Sequence, residues 1–76
     1  MARKFTNAAK GMNYLVVIHD VPYIAFVGFR SATDYVVNTN RDVRSTKVFD
    51  VVRQQVVFDG ANDDDVRVAK AQAANH

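Results

Sequence analysis

Few side chains in this sequence are equipped for catalysis or metal binding. His19 stands beside Asp20, and Ser31 and Ser45 supply hydroxyls, so the letters of a hydrolytic triad are present. A triad needs a nucleophile held against a base that an acid orients. Neither serine sits in a nucleophile-elbow sequence or at a diagnostic spacing from the histidine, so the pair reads as the end of a strand and the start of a turn. The run Asp59-Gly60-Ala61-Asn62-Asp63-Asp64-Asp65 is rich in the oxygen ligands that calcium takes. It lacks the alternating ligand spacing and the late bidentate glutamate of a calcium loop, and the chain contains no glutamate at all. Turn plus helix start is the simpler reading. The expectation is therefore no catalytic residue, no metal, no cofactor, and a protein that is not an enzyme.

Cations are the other candidates. Arg3, Lys4 and Lys10 surround Phe5 in a polar N-terminal stretch, and Arg41, Arg44, Lys47 and Arg53 follow in the middle of the chain. Such groups neutralise phosphates or steer an acidic partner, and Asn38 and Asn40 could add hydrogen bonds to a nucleic-acid backbone. These seven cations are the candidate partner-binding residues. Asp34, Asp42 and Asp50 interleave with the second set, and a solvated surface of balanced charge is the competing account.

The stretch Ala25-Phe26-Val27-Gly28-Phe29 matches the second half of the RNP1 signature, whose strand aromatics stack on bases. The first half is missing. Pro22 and Tyr23 occupy the places of the basic residue and glycine, Ile24 replaces the leading aromatic, and a strand comes immediately before. Core packing accounts for the five residues.

The elements that would position these groups follow from composition. Fourteen valines accompany a single leucine, Leu15. Valine loses rotamer freedom in a helix and packs well on a pleated sheet, so strands should dominate up to about Phe58. From Tyr14 to Phe29 the chain is apolar except at His19-Asp20-Val21-Pro22, which predicts a hairpin over about 13–29 with Pro22 in the turn. Both faces of both strands are apolar, so the hairpin should be covered on both sides by helix, sheet or another subunit. Tyr35-Val36-Val37 reads as a third strand in preference to a short helix capped by Ser31 or Thr33. Between Thr46 and Phe58 helical projection groups Val48, Phe49, Val51, Val52, Val56 and Phe58, with Val57 outside the face and Gln55 within it, which admits a second helix over about 46–55 passing into strand near Val56; the β-branched content pulls toward strand. Asn62 or Asp63 can cap a final helix over about 63–74, with three aspartates in its first turn and Arg67 and Lys70 farther on, the charge order that the helix dipole favours. No internal sequence repeat is evident. The fold class is α+β: residues 1–11 a basic, flexible arm and residues 12–76 a single domain, a small antiparallel sheet built on the hairpin with the C-terminal helix packed across it.

Size narrows the function. At 76 residues a domain buries only about 60% of the surface its unfolded chain exposes. With no cysteine, disulfides and thiolate metal sites cannot add to the core, which fits a reducing compartment. The remaining routes are an efficiently packed core, a partner chain or a larger assembly, and association as a homodimer or a hetero-complex is expected. No run reaches the roughly 18 to 20 apolar residues that cross a bilayer, and Met1-Ala2-Arg3-Lys4-Phe5 is not followed by the apolar core of a signal peptide. A soluble cytoplasmic protein with no membrane partner is expected. The formal charge of +2 is small but unevenly spread. A chain of this size without a catalytic constellation acts by occupying a surface, as small virus-encoded or accessory regulators do. The function expected is a non-enzymatic binding protein that regulates or inhibits a larger complex, one that processes nucleic acid among the candidates, through a protein interface. A directly nucleic-acid-binding dimer is the first alternative, and a structural or assembly subunit the second.

Overall fold

A computed structural model describes residues 12–39 and 42–74; the proposed arm, residues 1–11, lies outside them. Strands β1 (Tyr14–Ile18) and β2 (Val21–Phe26) lead into helix α1 (Phe29–Thr39). A 3-10 turn (Val43–Ser45) then precedes β3 (Thr46–Asp50), β4 (Gln55–Asp59) and helix α2 (Asp63–Ala74). The sheet has four strands in the order β2-β1-β3-β4, every neighbouring pair antiparallel. This is the small α+β fold expected, with the hairpin and the C-terminal helix in place. Among the described residues no helix is long and apolar enough to cross a membrane.

The order of elements is strand-strand-helix twice over, with β1 and β3 paired antiparallel at the centre of the sheet. The architecture is thus an internal pseudo-two-fold that no sequence repeat announces. Each hairpin even carries a bulge in its second strand. Val16 pairs with Ile24 and Val17 with Pro22, leaving Tyr23 as the extra residue. Val48 pairs with Phe58 and Phe49 with Val56, leaving Val57 in the same role.

Alternation along the strands sorts the side chains into two faces. Val16, Val48 and Phe58 turn to one side, where they are buried with Ala32 and Val36 of α1 and Ala69 of α2. Small side chains at 32 and 69 let both helices lie close to the sheet. Leu15, Val17, Lys47 and Phe49 turn the other way, paired across the strands as Leu15 with Phe49 and Val17 with Lys47. Both described helices share one face, so the two-sided cover expected for the hairpin is not supplied by the described elements, although Leu15 is buried.

Three local expectations are corrected. Pro22 does not form the turn: His19 and Asp20 do, with φ of 52° and 64°. A two-residue turn with both central residues left-handed matches the twist of a hairpin, and Pro22 falls on the outer strand β2, where a missing N–H donor costs no ladder bond. The segment Tyr35-Val36-Val37 is not a third strand but part of α1. As a strand it would put Asp34 and Val36 on one face; as a helix it stacks Ala32 and Val36 one turn apart and buries both. The same helix takes in Phe29, which the hairpin reading had left in a strand, and starts where the Ala32 N–H donates to the Gly28 carbonyl at 3.2 Å.

The helix admitted over 46–55 is instead β3, a turn and the start of β4. Thr46, Val48 and Asp50 are buried on alternate positions, so period two prevails over the helical grouping. Asp50 then closes the reversal. It is 4% exposed, its Oδ1 accepts from the N–H groups of Val52 and Arg53 at 3.0 Å each, and its carbonyl accepts from the Gln54 N–H at 2.7 Å. At the opposite end of the sheet Gly60 is wedged against the 3-10 turn, its N–H donating to the Thr46 carbonyl at 2.8 Å.

The final helix begins as its sequence foretells. Asn62 Oδ1 accepts from the N–H groups of Asp64 and Asp65 at 3.0 and 3.1 Å, the bonds of an N-cap. Asp65 Oδ2 accepts from the Asp59 N–H at 3.1 Å, tying the helix to β4.

Candidate binding site

Of the sequence-derived cations, Arg3, Lys4, Lys10 and Arg41 lie outside the described residues. The other three are not brought together. Arg44 stands in the 3-10 turn before β3, Lys47 on the sheet face away from the helices, and Arg53 in the turn beyond the far end of β3. Two aspartates of the 59–65 run serve local capping: Asp59 Oδ1 accepts from the Ala61 N–H at 2.9 Å, and Asp65 holds the Asp59 N–H, while Asp64 pairs with Arg67 at 3.1 Å. His19 Nε2 lies 3.3 Å from Asp42 Oδ2, both side chains more than half exposed, and the His19 N–H donates to the Ser45 carbonyl at 3.0 Å. Ser31 lies on α1, near the opposite end of the sheet.

The site that the fold does assemble lies at the end of the sheet carrying the β3–β4 turn and the start of α1. Tyr14 pairs with both Phe26 and Asp50, so the segments that follow, Val27 to Phe29 and Val51 to Gln54, emerge side by side. Val27 and Val52 are 65% and 70% exposed there, and Phe29 is exposed beside them. The two helices run antiparallel, since Arg30 in the first turn of α1 donates to the Gln72 carbonyl near the end of α2 at 2.6 Å.

Between them opens a groove of about 140 Å³ whose walls include Phe29, Thr33, Val57, Val68, Ala69 and Gln72. A second hollow of about 290 Å³ adjoins it, lined by Tyr14, Phe29, Asp50, Arg53 and Val57. Phe29 and Val57 belong to both, and the Phe29 ring is held edge-on to Tyr14 at 5.8 Å between centroids. The charged groups around the two hollows differ in what they have left to offer. Asp50 and Asp65 are committed to backbone N–H groups. Arg53 is 71% exposed and meets Asp50 only through Nε, at 3.8 Å, while Arg30 is exposed at the rim.

Val57, Val68 and Gln72 were not candidates on the sequence. Val68 carried a signal: with Val66 it is one of two valines in an otherwise Ala-rich and polar helix, next to the buried Ala69 and itself 49% exposed. Val57 becomes recognisable only through the bulge, which leaves it partly buried against the core in the groove wall. Compared with family models, with curated proteins and with solved structures, the chain matches none.

Proposed function

We propose that this chain is a small non-enzymatic binding protein that regulates or inhibits a larger macromolecular complex through a protein interface. The observation that supports this reading is the apolar groove between α1, β4 and α2, open at the end of the molecule where Val27, Phe29 and Val52 are exposed. Exposed apolar side chains gathered around a concave surface, with charge at the rim, are the composition of a protein interface. Phosphate binding calls for cations converging on one surface, and Arg44, Lys47 and Arg53 are spread over two ends and a face. A cytoplasmic setting and a nucleic-acid-processing target belong to this proposal, with Arg3, Lys4 and Lys10 steering the approach to an acidic surface.

The test is capture of partners by the immobilised full chain from nuclease-treated lysate, followed by reconstitution with the identified protein at several salt concentrations. A protein interface with an apolar centre keeps most of its affinity as salt rises. Reversing the charges of Arg3, Lys4 and Lys10 is expected to weaken the reconstituted complex by about 0.5 to 1 kcal/mol per cation, mostly in association rate at low salt. Binding to nucleic acid alone, falling steeply with salt, would refute the reading.

A further inference from the structure

The two halves of the fold differ in one respect that identifies what the groove lacks. In the first half the bulge residue Tyr23 lies 6.4 Å, centroid to centroid, from Tyr35 of α1, and Phe26 lies 5.4 Å from the same ring. Three aromatic rings thereby fill the space between the outer strand and its helix. In the second half the bulge residue is Val57, and α2 brings Val68 and Ala69 to the corresponding space. Among the described residues no ring stands there except Phe29 and Phe58 in the walls, which leave about 140 Å³ between them. An apolar cavity of about 150 Å³ admits benzene, so the vacancy has the size of one aromatic side chain.

Resting on the protein-binding reading above, we propose that the groove takes an aromatic side chain from a segment of a partner protein in which an acidic residue lies beside that aromatic. The ring enters between Phe29, Val57 and Val68, completing in trans the cluster that Tyr23, Phe26 and Tyr35 complete in cis. The carboxylate meets Arg53 in the adjoining hollow, with Arg30 at the rim. Unused hydrogen-bonding capacity decides the sign of the neighbouring residue. The acids lining the site already accept from the protein's own backbone, whereas Arg53 spends one nitrogen on Asp50 and is otherwise turned to solvent. A basic neighbour would face two guanidinium groups; an acidic one gains charge-assisted bonds with them.

The experiment is selection of a phage-displayed random dodecapeptide library on the full chain, with the enriched peptides then synthesised, labelled and titrated by fluorescence anisotropy. The selected sequences are expected to share Phe, Tyr or Trp within two positions of an Asp or Glu. Val68→Asp should weaken their binding tenfold or more, and Arg53→Glu at least threefold at low ionic strength. Ala61→Asp, at the opposite end of the molecule, should leave it within twofold. Both tested positions are substantially exposed, and circular dichroism checks that the variants fold; Arg53→Glu carries the test if Val68→Asp does not. Enrichment of basic peptides, of peptides without an aromatic, or of peptides indifferent to both variants overturns the proposal. So does enrichment of this chain's own segments together with self-association that Val68→Asp abolishes, which would make a second copy the occupant. An identified protein partner that binds Val68→Asp and Arg53→Glu with full affinity removes the groove while leaving the protein-binding reading intact; capture of nucleic acid alone removes that reading.

Discussion

Replacing Gly60 by alanine tests the junction on which the second half of the fold turns. A Cβ at this position would lie 1.6 Å from the Val43 carbonyl oxygen and 2.7 Å from that of Thr46. Both neighbours are backbone, so no side chain can swing aside. Restoring an ordinary separation of 3.4 Å from the first oxygen needs a displacement of 1.8 Å, the difference of 3.4 and 1.6. A shift of that size breaks the Gly60 N–H bond to Thr46 and disturbs the turn in which Thr46 Oγ1 donates to the Asp42 carbonyl at 2.7 Å. Overpacking costs about 1 to 3 kcal/mol and a lost buried hydrogen bond about 1, so Gly60→Ala should destabilise by about 2 to 4 kcal/mol. The whole domain is worth about 4 to 11 kcal/mol at the usual density per residue. For a domain of this size the loss lowers Tm by about 10 to 30 °C, measured by far-ultraviolet circular dichroism on heating and in urea. Gly28→Ala is the control. There the nearest atom to an added Cβ is Ser31 Oγ at 3.9 Å, and the change should be neutral or stabilise by up to about 1 kcal/mol. A Gly60→Ala protein melting within about 3 °C of the parent, or equal losses at both glycines, would refute the argument from backbone contact.

Two further substitutions probe the caps and turns. Asn62→Ala removes the acceptor for the Asp64 and Asp65 N–H groups and should cost about 1 kcal/mol in urea titration, while Asn62→Asp should cost little. Asp20→Gly relieves a left-handed residue at φ 64° and is expected to raise stability by about 0.5 to 1 kcal/mol in the same titration, by supplying the glycine that this turn geometry prefers.

Some of this molecule was legible from local chemistry. The two apolar runs of 14–26, broken at His19-Asp20, suffice for a hairpin, because a strand that short has few other ways to bury valine, isoleucine and phenylalanine. The helix at 63–74 carries its own start signal in Asn62 and its own charge order, both of which act within one turn. Over 29–39 and 46–59 the same local signals were ambiguous. Tyr35-Val36-Val37 has the propensity of a strand, yet it is helical: a helix stacks Ala32 and Val36 one turn apart against Val16 and Val48, whereas a strand would set Asp34 between them on the same face. Thr46 to Gln55 projects well as a helix, yet its first half, Thr46 to Asp50, pairs with β1 across more than two dozen residues of intervening chain, a contact that no window of sequence contains. The groove belongs entirely to tertiary structure. It exists because two halves with one topology are filled unequally, by three aromatic rings on the β2 side and by Val57, Val68 and Ala69 on the β4 side. Composition counts the aromatic residues; only the pairing of strands and the placing of helices decide which space they leave empty.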